Sequence, residues 1–152
     1  MKKKTILTGI LATMFAISPT LADNGDKKPT FTNPIIPQSV PDPTVIKAAD
    51  GYFYLYGTED TRNMPIYRSK NLTDWTFIGT AFTNETRPHT VRPYVPAGMM
   101  WAPDINYING QYVLYYAIGV WGVLNKSGVG VATSERPEGP FVDRDHSPIT
   151  AN

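Results

Sequence analysis

The sequence predicts an all-β chain assembled from repeated four-stranded sheets, and three observations carry that expectation. Short aromatic and β-branched runs recur, each entered from a turn signal. Tyr52-Phe53-Tyr54-Leu55-Tyr56 follows Asp50-Gly51, and Tyr112-Val113-Leu114-Tyr115-Tyr116 follows Asn109-Gly110. Beyond residue 22, no window of twelve or more residues shows a helical hydrophobic period. Finally, the strand-and-turn pattern repeats at an interval near 60 residues.

Taken in order, residues 1–22 read as a signal peptide. Lys2, Lys3 and Lys4 form a basic start, Ile6 to Ile17 an apolar run, and Thr20-Leu21-Ala22 a small-residue cleavage site. The apolar run is short and broken by Thr8, Gly9 and Thr13, which argues against a bilayer span. The expectation is export to a periplasmic or extracellular location, with no membrane span once the leader is removed; a retained amphipathic anchor is the alternative. Residues 23–34 are polar and proline-containing, and read as a linker. Residues 35–152 are expected to hold two four-stranded units.

The first unit has strands at Thr44 to Lys47, 52–56, Ile66 to Ser69 and Thr76 to Ile78. The second has them at Ile105 to Ile108, 112–116, Val129 to Ser134 and Phe141-Val142. Pro41-Asp42-Pro43 matches Ala102-Pro103-Asp104, Gly51 matches Gly110, and Ser69 matches Ser134, at offsets of 62, 59 and 65 residues. Such units fit the blades of a β-propeller. A β-sandwich also strings short strands between turns, but the repeated Pro/Asp lead into each first strand favours the propeller.

Composition removes several function classes. Fourteen basic against 13 acidic residues leave a net charge of +1, without the positive footprint that nucleic acid requires. Without the leader's three lysines, 11 basic and 13 acidic residues remain. Absence of cysteine excludes disulfides, thiolate metal sites, cysteine nucleophiles and a lipoprotein anchor. His89 and His146 show no ligand spacing, so no metal site is expected within the chain. The glycosylation-type triplets at Asn71, Asn84 and Asn125 read as chance.

Acidic residues at the starts of the blades are the chemical signal. The first strand of a propeller blade runs along the central channel, so the residues leading into it lie near one mouth. Asp42 and Asp104 are expected at matching positions there, both turned toward a common cavity. Pro41 and Pro43 restrict the backbone on either side of Asp42, which would hold its carboxylate in the single orientation a general base requires. Asp-Pro pairs also simply cap turns, and that reading stays open beside it. Trp101 could cover the apolar face of a bound ring or pack within a blade. Trp75 and the tyrosine-rich strands read as blade core.

Asn33-Pro34-Ile35-Ile36 followed by Pro41-Asp42-Pro43-Thr44-Val45-Ile46 resembles the opening of glycoside hydrolase family 43. These are the five-bladed arabinanases, arabinofuranosidases and xylosidases. Ser69-Lys70-Asn71-Leu72-Thr73-Asp74-Trp75 is similar to the end of that family's first blade, and Trp101-Ala102-Pro103-Asp104-Ile105 to the start of its second. Ser134-Glu135-Arg136-Pro137-Glu138-Gly139-Pro140-Phe141 is similar to its second-blade closing turn. The resemblance implies an all-β, five-bladed propeller of which only about the first two blades are present. It also implies an inverting hydrolase of arabinan, arabinoxylan or derived oligosaccharides.

Three acidic residues serve that mechanism, and Asp42 matches the general base. The resemblance puts a pKa-tuning aspartate on blade three and the general acid, a glutamate, on blade four. Asp104 lies one blade after Asp42, so it reads as a substrate contact together with Trp101. Glu138 follows its blade's third strand and belongs on the outer rim. Members of the family hold a cation such as calcium in the channel, with its histidine ligand on a later blade, and no cofactor is expected within this chain. A truncated, inactive portion of a glycosidase is thus the leading expectation. A non-catalytic carbohydrate-binding propeller is the alternative, and a purely structural repeat protein the third.

Overall fold

A computed structural model describes residues 30–58, 62–88, 99–120, 122, 127–143 and 150–151. The expected leader, most of the linker, and His89, Asn125 and His146 lie outside the described residues. Contacts divide the chain after Thr30, and both sheets belong to the unit from Phe31 onward.

Two antiparallel sheets form, each in plain meander order. The first comprises β1 (Thr44–Lys47), β2 (Phe53–Tyr56), β3 (Pro65–Ser69) and β4 (Thr76–Thr80). The second comprises β5 (Met99–Ile108), β6 (Gln111–Gly119), β7 (Ser127–Ser134) and β8 (Val142–Asp143), with β9 (Thr150–Ala151) also on β7. β8 pairs with Ala132 and Thr133 while β9 pairs with Gly128 and Val129, so the fourth position of this sheet is filled in two pieces. Among the described residues no helix is long and apolar enough to cross a membrane.

The repeat has a physical basis in its turns. Ser69 and Ser134, each buried at the end of a third strand, use the side-chain oxygen to accept the amide of the residue two positions on. Asn71 N lies 3.2 Å from Ser69 Oγ, and Arg136 N lies 3.1 Å from Ser134 Oγ. This side-chain acceptor replaces the ladder partner that the amide loses as the chain leaves the sheet. Asp50 does related work at the first hairpin, accepting from Tyr52 N at 3.0 Å and from the Tyr54 hydroxyl at 2.8 Å.

The two sheets stack face to face around one apolar cluster. Tyr54, Tyr56, Met64 and Ile66 come from the first sheet, and Met100, Ile105, Tyr112, Leu114, Tyr116, Ile118 and Ala132 from the second. Phe82 and Phe141 close its outer side, edge-on to Tyr116 and Tyr56 at centroid separations of 5.6 and 5.9 Å. Such edge-to-face pairs are the favoured arrangement of aromatic quadrupoles. Successive blades bury opposite faces against each other, and the alternation shows it. Tyr54 and Tyr56 face the second sheet, whereas Val113 and Tyr115, at the 59-residue offset, face away from the first.

Other observations differ from the sequence reading. Trp75 is half-buried and outside the core cluster, because its indole N–H donates to Leu72 O at 3.0 Å and holds the ring over its own turn. It lines a groove of about 560 Å³ with Ile35, Ile36, Tyr67 and Phe77. The residues before β1 thus lie along the outer face of the first sheet. The second sheet's first strand begins at Met99 rather than at Ile105. Pro103, expected in the lead before the strand, is accommodated inside it by a bulge: Trp101 pairs with Ala117 and Asp104 with Tyr115, leaving two residues opposite one.

Candidate active site

The first strands of the two sheets meet, with Ile105 N 3.5 Å from Thr44 Oγ1. The residues that lead into those strands therefore converge. Asp42 precedes β1 with φ 48°, in the left-handed region, and is followed by Pro43. Ala102 adopts φ 47° and is followed by Pro103. Each lies two residues before the one that pairs with a tyrosine of the second strand, Thr44 with Tyr56 and Asp104 with Tyr115. Asp42 therefore corresponds to Ala102, and Asp104 to Thr44, at an offset of 60. This corrects the expected match of Asp42 with Asp104: the shared proline and left-handed residue fix the alignment, not the shared carboxylate.

A left-handed conformation costs a non-glycine residue of order 1–3 kcal/mol, and aspartate tolerates it better than most. At Asp42 the surrounding structure holds it in place. Thr58 N donates to Pro41 O at 2.9 Å, and the Thr58 hydroxyl donates to Asp42 Oδ2 at 2.7 Å. Just before Thr58, Gly57 N donates to Pro65 O at 3.2 Å. A Cβ at Gly57 would come within 2.4 Å of Val40 Cγ1, so only glycine lets the segment before β1 lie this close to the end of β2. The Asp42 side of this site is open, since the residue is exposed while Thr58 is buried.

The second sheet completes the arrangement. The bulge in β5 frees Ala102 N from the β6 ladder, and it donates to Thr58 Oγ1 at 2.9 Å. A chain of hydrogen bonds thus runs from the Ala102 amide through the Thr58 hydroxyl to the Asp42 carboxylate. A backbone amide can only donate and a hydroxyl has one hydrogen, so the direction of that chain is determined. Its chemical result is a carboxylate held by one oxygen, with the other turned to no hydrogen bond among the described residues.

Of the sequence-derived candidates, Asp42 and the Trp101-Ala102 backbone are brought together through Thr58. Trp101 is half-buried on β5, opposite Ala117. Asp104 is exposed and stands apart from this chain of bonds, accepting from Asn106 Nδ2 at 3.1 Å. Glu138 is exposed on the turn between β7 and β8, 3.7 Å from Arg136 Nε. Thr58 was missed in the sequence because its partners lie 16 and 44 residues away and no local pattern marks it. Among the described residues no group of three or more His, Cys, Asp or Glu side chains could hold a metal ion.

Comparison with known proteins assigns this architecture. The description "Glycosyl hydrolases family 43" matches residues 31–152. A non-reducing end α-L-arabinofuranosidase of Bacteroides ovatus is 32% identical over 116 residues, covering 75% of this chain and 21% of that protein. An extracellular endo-α-(1→5)-L-arabinanase of Bacillus subtilis is 36% identical over 96 residues, covering 61% of this chain and 29% of that protein. The structure of a Cellvibrio cellulosa α-L-arabinanase complexed with arabinohexaose superposes with a TM-score of 0.63 at 27% identity, covering 76% of this chain and 36% of that one. The chain therefore spans about a fifth to a third of the length of these curated relatives. With its two stacked four-stranded sheets matched along nearly all of their length, the chain belongs to glycosyl hydrolases family 43.

Proposed function

We propose that this chain supplies the first two blades and the general base of an exported, inverting glycosidase acting on arabinan or its oligosaccharides. The observation that carries the reading is the Asp42 carboxylate, held at the start of the first blade through one oxygen on a residue that is exposed. Family membership supports the reaction class. The relatives named arabinanase and arabinofuranosidase support the sugar, and the word extracellular in the name of the Bacillus subtilis relative supports export.

Asp42 would take a proton from a water as that water's oxygen attacks the anomeric carbon. An acid on the opposite face of the sugar, about 6.5–9.5 Å away, would protonate the departing oxygen. The resemblance puts that acid, and the third carboxylate, on blades three and four, outside the two described here. Trp101 would cover the apolar face of a pentose ring, with Asp104 engaging hydroxyls at the rim.

Residues 1–152 alone are expected to leave an aryl arabinofuranoside unhydrolysed. Joined to the remaining blades, they should turn over arabino-oligosaccharides. In that complete protein Asp42→Asn should lower kcat by about 10²- to 10⁴-fold, the worth of general base catalysis, while calorimetry still detects sugar binding. Asparagine suits the test because it tolerates the left-handed backbone at this position. Undiminished turnover by the variant would remove Asp42 from the base role. Inactivity of the complete wild-type protein, with sugar binding intact, would favour a non-catalytic carbohydrate-binding propeller.

A further inference from the structure

We infer that Thr58 is a positioning residue for the general base, and that it makes the orientation of Asp42 depend on the start of the second blade. The inference rests on the assignment of Asp42 as base. Thr58 holds the segment before β1 at two points: its amide fixes the Pro41 carbonyl at 2.9 Å, and its hydroxyl fixes Asp42 Oδ2 at 2.7 Å. The hydroxyl also receives the Ala102 amide at 2.9 Å, from a strand of the other sheet. Thr58 is buried, 8% exposed, so water cannot readily replace its hydroxyl in either bond.

The geometry separates the two oxygens of Asp42 by function. Because the Ala102 amide occupies a lone pair on Thr58 Oγ1, the hydroxyl hydrogen is directed at Oδ2. Oδ1 is left to accept the proton of the attacking water. Without the hydroxyl, no other hydrogen bond among the described residues fixes the rotation of the carboxylate, and the Ala102 amide loses its acceptor. The bulge that releases this amide would then be a part of the site rather than an irregularity, in line with the frequent occurrence of bulges beside active sites. Thr58 acts on turnover through Asp42 and makes no contact of its own with the reacting atoms.

Thr58→Val keeps the shape and deletes the hydroxyl, whereas Thr58→Ser keeps the hydroxyl and deletes a methyl. Both are compared with Asp42→Asn in the complete protein, by steady-state kinetics on an arabino-oligosaccharide and by thermal unfolding. Thr58→Val should lower kcat by about 10- to 100-fold, the scale of a misplaced catalytic group, with KM within about 2-fold of wild type. Thr58→Ser should recover kcat to within about 3-fold. Full kcat in Thr58→Val, with Asp42→Asn inactive, overturns the positioning role and leaves the base assignment standing. A loss that serine does not rescue, and that tracks the melting temperature in both variants, shows a structural role and also overturns it. An active Asp42→Asn protein overturns the base assignment itself.

Discussion

The close approach at Gly57 provides a stringent test of how the segment before β1 is held. Replacing Gly57 by alanine would put a Cβ 2.4 Å from Val40 Cγ1, 3.4 Å from Pro41 O and 3.6 Å from Val40 Cβ. Ordinary carbon contacts begin near 3.5 Å, so Val40 must retreat by roughly 1 Å. The valine side chain is stiff about χ1 and lines a groove with Leu55 and Ile36. The displacement therefore passes to the backbone of residues 40–42, which Thr58 holds through Pro41 O. Overpacking of this kind costs about 1–3 kcal/mol, which at about 3 °C per kcal/mol for a domain of this size lowers the melting temperature by roughly 3–9 °C. Val40→Ala alone should cost about 1 kcal/mol for its half-buried methyls. The double variant Gly57→Ala/Val40→Ala should be no less stable than Val40→Ala, because the remaining contacts of 3.4 and 3.6 Å are tolerable. Thermal unfolding of the full chain, followed by far-ultraviolet circular dichroism, measures all four corners of the cycle. A Gly57→Ala protein melting within about 1 °C of wild type, or additive effects in the double variant, would refute the reasoning.

Two further outcomes concern the core and its tyrosines. Gly130→Ala would place a Cβ 2.4 Å from Tyr116 Cε2 and 2.5 Å from its Cζ, atoms of a rigid, fully buried ring, so a loss of about 2–3 kcal/mol is expected in denaturant titration. Stability equal to wild type would show that the sheet spacing at this point is looser than described. At alkaline pH, burial followed by the bond to Asp50 pushes the Tyr54 phenol from 10.0 up to about 12, and burial moves Tyr56 and Tyr112 in the same direction. The folded state then binds these protons more tightly than the unfolded chain. For Tyr54, its contribution is full below about pH 10 and is lost as pH rises from there to about 12. Melting temperatures measured across pH 9–12 should decline over that window, and Tyr54→Phe should make the decline shallower; an unchanged slope would remove Tyr54 as a cause.

What was legible in the sequence was local in origin. The aromatic strands, their Asp50-Gly51 and Asn109-Gly110 turns, and the serines at 69 and 134 announce themselves because each is satisfied within a few residues of itself. Hairpin order followed from the same signals, and the sheets are simple meanders. The start of the second blade was harder. Pro103 lies in the expected lead before the strand, and only pairing with β6 shows the strand running through it with a bulge. The equivalence of Asp42 with Ala102 depends on a shared backbone conformation that the two side chains do nothing to reveal. Thr58 is a tertiary residue throughout: its role arises when the end of one hairpin meets the chain leading into both sheets. The restricted backbone around Asp42 was legible because its flanking prolines are local.

The left-handed position that precedes a proline at the start of each blade has an evolutionary consequence. In one blade it carries aspartate and in the next alanine, on closely similar backbones with φ values of 48° and 47°. Were one blade copied into another, the copy would carry this preformed backbone position along with the scaffold. Aspartate and alanine differ there by two side-chain oxygens and a carbon. A single substitution at either of these two positions would exchange an acidic for an apolar side chain on a backbone already shaped to hold it.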